Sequence, residues 1–292
     1  MSVVAVTGAS GFIGRYLCPS LETAGHSVRP LSRQETDYTA DSLARVLEGV
    51  DAVVHLAGRR MTREDAPMDL GPFYGPNVGV IGDLVQAAQA VGVNRIVLAS
   101  TIAIYSSASG LPYRETADTA PINAYALSKL MAEQYLEMLT RGTDVSAIAL
   151  RIAAVYGAGE KGTPALMKFV NLAQNGQQIT LTGNPNYVID QIYVRDVVEA
   201  IEAALASHAQ GTINIGGGQP WRVAEIAETA NRIFGNPQPV ALKTDSDAPM
   251  PQTVMALDRA KAVLGWQPRY SLETGITDFK TTLNTTSSEL GA

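Results

Sequence analysis

The stretch Val6-Thr7-Gly8-Ala9-Ser10-Gly11-Phe12-Ile13-Gly14 puts a glycine at every third position, directly after the apolar run Val3–Thr7 and directly before the helix-like segment Gly11–Ala24. A strand ending at Thr7 and a helix beginning near Gly11 would set Gly8 in a tight turn, Gly11 at a close backbone approach and Gly14 where helix meets strand. Free amides and the helix dipole at such a junction hold a pyrophosphate. An isolated glycine-rich turn would leave a ligand-free reading open. What surrounds this one favours a dinucleotide.

Working outward, short apolar runs alternate with amphipathic segments: Val28–Leu31, Leu43–Leu47, Ala52–Leu56, Gly79–Val91, Arg95–Ser100, Tyr125–Arg141 and Val145–Arg151. Ala52-Val53-Val54-His55-Leu56 and Ile96-Val97-Leu98-Ala99 are apolar without period-two alternation, as strands covered by helices on both faces require. The expected fold class is α/β, a doubly wound parallel (Rossmann) sheet. Pro30 predicts a short or irregular second strand, because proline cannot donate to a ladder. Beyond Arg151 the rhythm loosens into helix-like Thr163–Asn175, Asp196–Ala206 and Val223–Phe234 with short strands at Ile179–Thr182 and Thr212–Ile215. The expected division is a dinucleotide-binding domain over 1–160, with sheet strands contributed from about 185–215, and a mainly substrate-binding α/β cap over 161–292. The polar end from Thr281 is expected to fray.

The 292 residues are 46% hydrophobic and 17% charged, enough to bury a large core, and disorder is excluded as the default. A formal net charge of −6 offers no broad attraction for nucleic acid or an anionic membrane, so a small-molecule partner is expected. Cys18 is the only cysteine, which excludes an internal disulfide. No apolar run reaches membrane-span length and Met1 leads into a strand, giving a cytoplasmic expectation.

The glycine spacing, Gly-x-x-Gly-x-x-Gly, resembles that of the extended short-chain dehydrogenase/reductases, the NAD(P)-dependent epimerase/dehydratase family. Further resemblances follow in order: Asp51 to Gly58, Asn77 opening a helix, Ser100-Thr101 with Tyr105, Tyr125-Ala126-Leu127-Ser128-Lys129, Arg151 to Gly157, Ile192 to Asp196, Ile213 to Gly217, and Leu264 to Pro268. They span nearly the whole chain. Tyr125 and Lys129, four residues apart, share a helix face, and an ammonium near a phenol favours the phenolate, lowering a pKa of about 10. Tyr125 would then trade a proton with a substrate oxygen. The resemblance gives Thr101 as the hydroxyl that orients the same oxygen, and has Lys129 also hold the nicotinamide ribose.

For the cofactor the resemblance implies Gly8, Ser10, Gly11, Phe12, Ile13 and Gly14, then Leu56, Ala57, Gly58 and Arg60, then Asn77, Ser100, Tyr125, Lys129 and Ile152. After the second strand it implies Ser32, Arg33, Asp37 and Tyr38. Leu31-Ser32-Arg33 offers a hydroxyl and a guanidinium suited to a 2′-phosphate, so NADP is expected, with NAD possible. Asp37, at the end of a short third strand, would face the adenine amino group. Arg59 and Arg60 could reach a phosphate or simply be solvated. His55 is expected in the core and Cys18 as a small hydrophobe, and no metal is expected. In many family members the helices matching Gly79–Val91 and Leu130–Leu139 pair in a dimer, so a homodimer is implied.

Departures bear on substrate. The family's Arg-x-x-Asn-Val-Tyr-Gly has Ala154 in place of the asparagine that helps bind a nucleotide-sugar. An arginine expected before Ile192 is Ile189, and the late arginine has no counterpart in Ala248–Ala256. A 4,6-dehydratase needs an acidic pair where Ile102 and Ala103 stand, which argues against dehydration. The main expectation is an NADPH-dependent ketoreductase on a 4-keto-6-deoxy nucleotide-sugar, with a nucleotide-sugar epimerase retaining NAD as the alternative. A non-catalytic dinucleotide-binding regulator is the alternative of another class, disfavoured by the retained tyrosine and lysine.

Overall fold

The computed structural model describes residues 2–62, 64–160, 165–244 and 252–289. The chain runs β1 (Val3–Thr7), α1 (Phe12–Thr23), β2 (Ser27–Leu31), α2 (Ala40–Leu47), β3 (Ala52–His55), α3 (Gly71–Phe73), α4 (Val80–Val91), β4 (Arg95–Thr101), α5 (Ala124–Thr140), β5 (Ser146–Ile152) and β6 (Ala154–Tyr156). It continues through α6 (Ala165–Gln174), β7 (Thr180–Thr182), β8 (Val188–Tyr193), α7 (Val194–Ala206), β9 (Gly211–Ile215), β10 (Pro220–Arg222), α8 (Val223–Phe234), β11 (Ala241–Thr244), α9 (Asp258–Leu264) and α10 (Leu272–Glu289).

Six parallel strands in the order β2-β1-β3-β4-β5-β9 make the central sheet. The chain moves outward from β1 to β2 and returns past β1 to β3, so its direction of travel reverses there. A crevice opens at the carboxyl ends of the strands at such a point. Both sheet faces are covered, which is why the strands lack alternation. Val4, Val6, Val54, Val97 and Ile148 pack on Leu17 and Leu21 of α1 and Val197 and Ile201 of α7. Ala5, Val53, Ile96 and Leu98 pack on Leu43 and Leu47 of α2, Ile81 and Leu84 of α4, and Leu136 of α5.

Pro30 does not make β2 irregular. The strand pairs in continuous register with β1, Pro30 opposite Val6, and lies at the sheet edge, where a missing N–H is tolerated. The main sheet and a second, smaller sheet draw on interleaved stretches of the chain. Of the strands expected from 185–215, β9 joins the main sheet, whereas β8 pairs with β6 and β10 in a separate three-stranded sheet. Thus β6 precedes residue 160 yet belongs to the second sheet. A third core, with Leu166 and Phe169 of α6, Ile226 and Ala230 of α8, and Ile276 and Phe279 of α10, supports it.

Asp37 ends no strand. It lies in the loop before α2, where its carboxylate accepts from the Thr39 amide (3.1 Å) and hydroxyl (2.7 Å). The chain from Thr281 remains helical to Glu289. Thr163 and Pro164 of the expected helix, and Ala248 to Pro251 of the segment searched for an arginine, lie outside the described residues. Among the described residues no helix is long and apolar enough to cross a membrane.

Candidate active site

The glycine loop closes between the ends of β1 and β3. The buried Thr7 hydroxyl meets His55 Nδ1 (2.9 Å) and accepts from the Ala57 amide (3.2 Å), tying the two strand ends together. Gly8 has φ +71°, and a Cβ there would stand 2.8 Å from the Ala57 nitrogen; one at Gly14 would stand 2.4 Å from the Gly8 carbonyl oxygen. No side chain caps α1 at Gly11, so its first amides point outward unpaired by the helix. A cradle of bare backbone at a helix N-terminus fits a dinucleotide pyrophosphate.

This cradle is one wall of a cavity of about 550 Å³. Gly8, Ser10, Gly11, Phe12, Ile13, Gly14, Leu56, Gly58, Arg60, Ser100, Thr101, Tyr125, Lys129 and Ile152 all line it. Ala57 and Asn77 stand behind the wall. Asn77, in a π-helical turn over Tyr74–Gly79, accepts from the Arg59 amide (2.7 Å) and donates to the Arg59 carbonyl (3.1 Å) and Ser128 Oγ (2.8 Å). It thereby fastens the loop after β3 to α5. Ser32, Arg33, Asp37 and Tyr38 do not line the cavity. Arg33 is exposed, and Ser32 is engaged by Glu35, whose carboxylate takes both the Ser32 hydroxyl and its amide (2.8 Å).

Asn123 caps α5 by accepting from the Ala126 amide (2.8 Å), and Tyr125 and Lys129 project from its first turns into the cavity. The half-buried Tyr125 ring packs edge-on to Phe73, 6.2 Å between centroids. Burial pushes its phenol above the ordinary value, opposed first by the Arg60 guanidinium and then by the Thr101 hydroxyl. This corrects the sequence expectation of a phenol lowered by Lys129: the buried Lys129 ammonium instead donates to the Ala99 carbonyl (2.9 Å). Burial brings its own pKa down to about 8, with Glu133 opposing.

Glu133, one further turn along α5, is a residue the sequence reading missed. Buried beneath the cavity, it accepts from the Ser100 hydroxyl and from Arg151 Nη2 (2.9 Å) and Nε (3.1 Å). Arg151 in turn donates to the Tyr105 hydroxyl and the Glu115 carbonyl (both 3.0 Å). The i, i+4 recurrence Tyr125, Lys129, Glu133 was the available signal. Also missed was Glu160, which lines the cavity and pairs with Arg60 (2.8 Å). Of the residues set aside, His55 is buried and held neutral, its pKa pushed down to about 3 by burial and then by Lys129. Cys18 is half-buried with its thiol raised by burial. Among the described residues no group of three or more His, Cys, Asp or Glu is placed to hold a metal ion.

A buried lysine with a depressed pKa costs stability. Between about pH 8 and 10.5 the unfolded chain holds a proton on Lys129 that the folded protein does not, so stability rises with pH across that window and is lost as pH falls through it. The penalty near neutrality is roughly 3 kcal/mol before the lost hydrogen bond is counted. Lys129→Met without ligand should therefore melt a few degrees above wild type at pH 7. The gap should close toward pH 10; a variant that melts lower at pH 7 would contradict this.

The family model for the NAD dependent epimerase/dehydratase family matches residues 4–216. The chain is 30% identical to a UDP-glucose 4-epimerase of Azospirillum brasilense, over 94% of this chain and 89% of that protein. It is similar in structure to a UDP-N-acetylglucosamine 4-epimerase from Bacillus cereus, with TM-score 0.89 and 29% identity over 97% of each chain. It is likewise similar to MoeE5 in complex with UDP-glucuronic acid and NAD, with TM-score 0.83 and 26% identity over 97% of this chain and 99% of that one.

Proposed function

The chain belongs to the NAD dependent epimerase/dehydratase family and is an enzyme of the extended short-chain dehydrogenase/reductase type, and from that premise we propose that it is a nucleotide-sugar 4-epimerase working with retained NAD. The observation that carries this reading is the run of 4-epimerases among its relatives, similar over nearly the full chain and not over the glycine loop alone. The alternative raised by the sequence thus replaces the ketoreductase as the favoured reaction. NAD, when bound, supplies a hydride acceptor and donor at its nicotinamide.

The chain's own residues handle the proton and the positions. Tyr125 is the group that exchanges a proton with the sugar 4-oxygen, and to act as base it must first lose its own, which burial opposes and the Arg60 guanidinium and then the Thr101 hydroxyl favour; Thr101 fixes that oxygen by a hydrogen bond, and Lys129 holds the nicotinamide ribose. Glu133 sets Ser100 and Arg151, and through them the end of β4 that carries Thr101. The sugar-nucleotide is a UDP-sugar, the class named for the relatives. Ala154 lines the cavity, so grip on the uracil end comes from elsewhere than an asparagine at that position.

Glu35 argues for NAD over the NADP expected from Ser32 and Arg33. Its carboxylate already occupies the Ser32 donors, and side-chain hydrogen bonding from Ser32 followed by the Ser32 amide holds it below the usual carboxylate range. A 2′-phosphate there would meet a fixed negative charge, whereas ribose hydroxyls can donate to it. Glu35→Ala should shift the preference toward NADPH by roughly tenfold, the scale of like-charge repulsion across a few ångströms of water. Fluorescence titration with NADH and NADPH reads this; equal changes for both would contradict it.

A homodimer through α4 and α5, the latter with Leu127 and Met138 exposed, belongs to the same reading, and a protomer-sized mass by light scattering would contradict it. The reaction itself is tested by incubating the protein with UDP-glucose, UDP-N-acetylglucosamine and UDP-glucuronic acid in turn. At least one should give its C4 epimer without added reductant. NADPH oxidation with a 4-keto sugar, and no epimer from any of the three, would return the choice to the ketoreductase.

A further inference from the structure

We infer that the segment Gly157–Glu160 is a strap across the cofactor cleft, and that the Arg60–Glu160 ion pair is the latch that sets how fast the dinucleotide enters and leaves. The strap is pinned on one side to the first turns of α1: Arg15 Nη2 donates to the Gly159 carbonyl (3.0 Å) and the Tyr16 hydroxyl to the Ala158 carbonyl (2.9 Å). On the other side it reaches the loop after β3, where Arg60 donates to both carboxylate oxygens of Glu160 (2.8 and 3.1 Å). Its path requires glycine. Gly159 has φ +84°, and a Cβ there would stand 2.9 Å from Arg15 Nη2.

Arg15, Gly159, Glu160 and Arg60 line the same cavity as the glycine loop and Tyr125, so the closed strap borders the space the dinucleotide takes. The two sides of the latch differ in exposure, the Arg60 side chain being 59% exposed and that of Glu160 2%. Glu160 is thus a fixed, buried acceptor, and Arg60 the arm able to swing outward into water. The bidentate fork gives the pair one geometry.

The pair is made entirely by the chain's own groups, so the same two bonds can form whether the cleft is empty or filled. A gate that is closed both with and without ligand slows entry and exit alike and leaves the equilibrium nearly unchanged, because it has no differential free energy between the two states. For an enzyme that must take back the hydride it removed, slow exit keeps the same dinucleotide through many turnovers. This rests on the reading above that the cleft takes NAD.

Stopped-flow fluorescence of NADH with wild type, Glu160→Gln and Arg60→Met tests the latch. Both variants should bind and release NADH about tenfold faster, and for Glu160→Gln, which leaves every side chain assigned to the cofactor in place, Kd should stay within about twofold of wild type. The swapped double variant Arg60→Glu/Glu160→Arg should restore slow rates. Unchanged rates in the two single variants would overturn the latch. A weaker Kd at an unchanged association rate would also overturn it, making Arg60 a plain cofactor contact. NADH binding to none of the proteins would overturn the reading of the cleft itself and the latch with it.

Discussion

Tyr125→Phe should lower turnover by on the order of 10²–10⁴-fold while leaving the melting temperature and the NADH affinity close to wild type. The ring keeps its edge-on packing against Phe73, since only the phenol oxygen is removed. Steady-state rates on an interconvertible UDP-sugar, together with an NADH titration and a melting curve, separate loss of chemistry from loss of fold. Wild-type turnover in the phenylalanine variant would remove Tyr125 from the acid/base role. The expected split also distinguishes Tyr125 from Lys129, whose loss should weaken dinucleotide binding as well as rate.

The second large effect is on stability. Arg151→Met should destabilise the protein by about 3–5 kcal/mol, because it strands the buried Glu133 carboxylate without its guanidinium. The damage would spread, since the Tyr105 hydroxyl, held by Arg151, donates to Asn214 Oδ1 (2.5 Å), and Asn214 donates to the Tyr113 and Ala256 carbonyls (2.9 and 3.2 Å). Adding Glu133→Leu should recover much of the loss, an apolar pair of similar bulk being tolerated where half an ion pair is not. Urea unfolding of the two variants measures both numbers. A single variant within 1 kcal/mol of wild type would show that the pair carries no such charge burden.

The contrast between these sites shows what a sequence can reveal. The glycine loop was legible because its requirements are local: a strand, three glycines and a helix follow one another without a break from Val3 to Thr23, and the steric need at Gly14 involves the Gly8 and Ala9 carbonyl oxygens. The main sheet was legible because strands buried on both faces leave continuous apolar runs. Tyr125 and Lys129 were visible as a helical repeat, but the electrostatics they imply were not. Whether an ammonium lowers a phenol depends on where it points, and Lys129 points at Ala99.

Long-range pairings were hidden for the same reason. Arg60 and Glu160 are separated by 100 positions and meet only because the strap folds back over α1. The second sheet escaped because β6 and β10 are each 3 residues long and pair with β8 from different parts of the chain, leaving no periodicity to read. Glu35 was overlooked because a carboxylate four residues past a strand looks like a solvated charge until the turn brings it onto Ser32. That turn is what separates the NADP expected from Leu31-Ser32-Arg33 from the NAD proposed here.

The central claim is that hydride leaves and returns to the same carbon on a dinucleotide that stays bound. A UDP-sugar substrate carrying deuterium at C4 tests it most directly, followed by mass spectrometry and NMR of the product in the presence of excess unlabelled NADH. Epimer that keeps its deuterium at C4, with none passed to the added dinucleotide or to water, is the predicted result. Loss of the label to the pool, or conversion that stops when NADPH runs out, would contradict it.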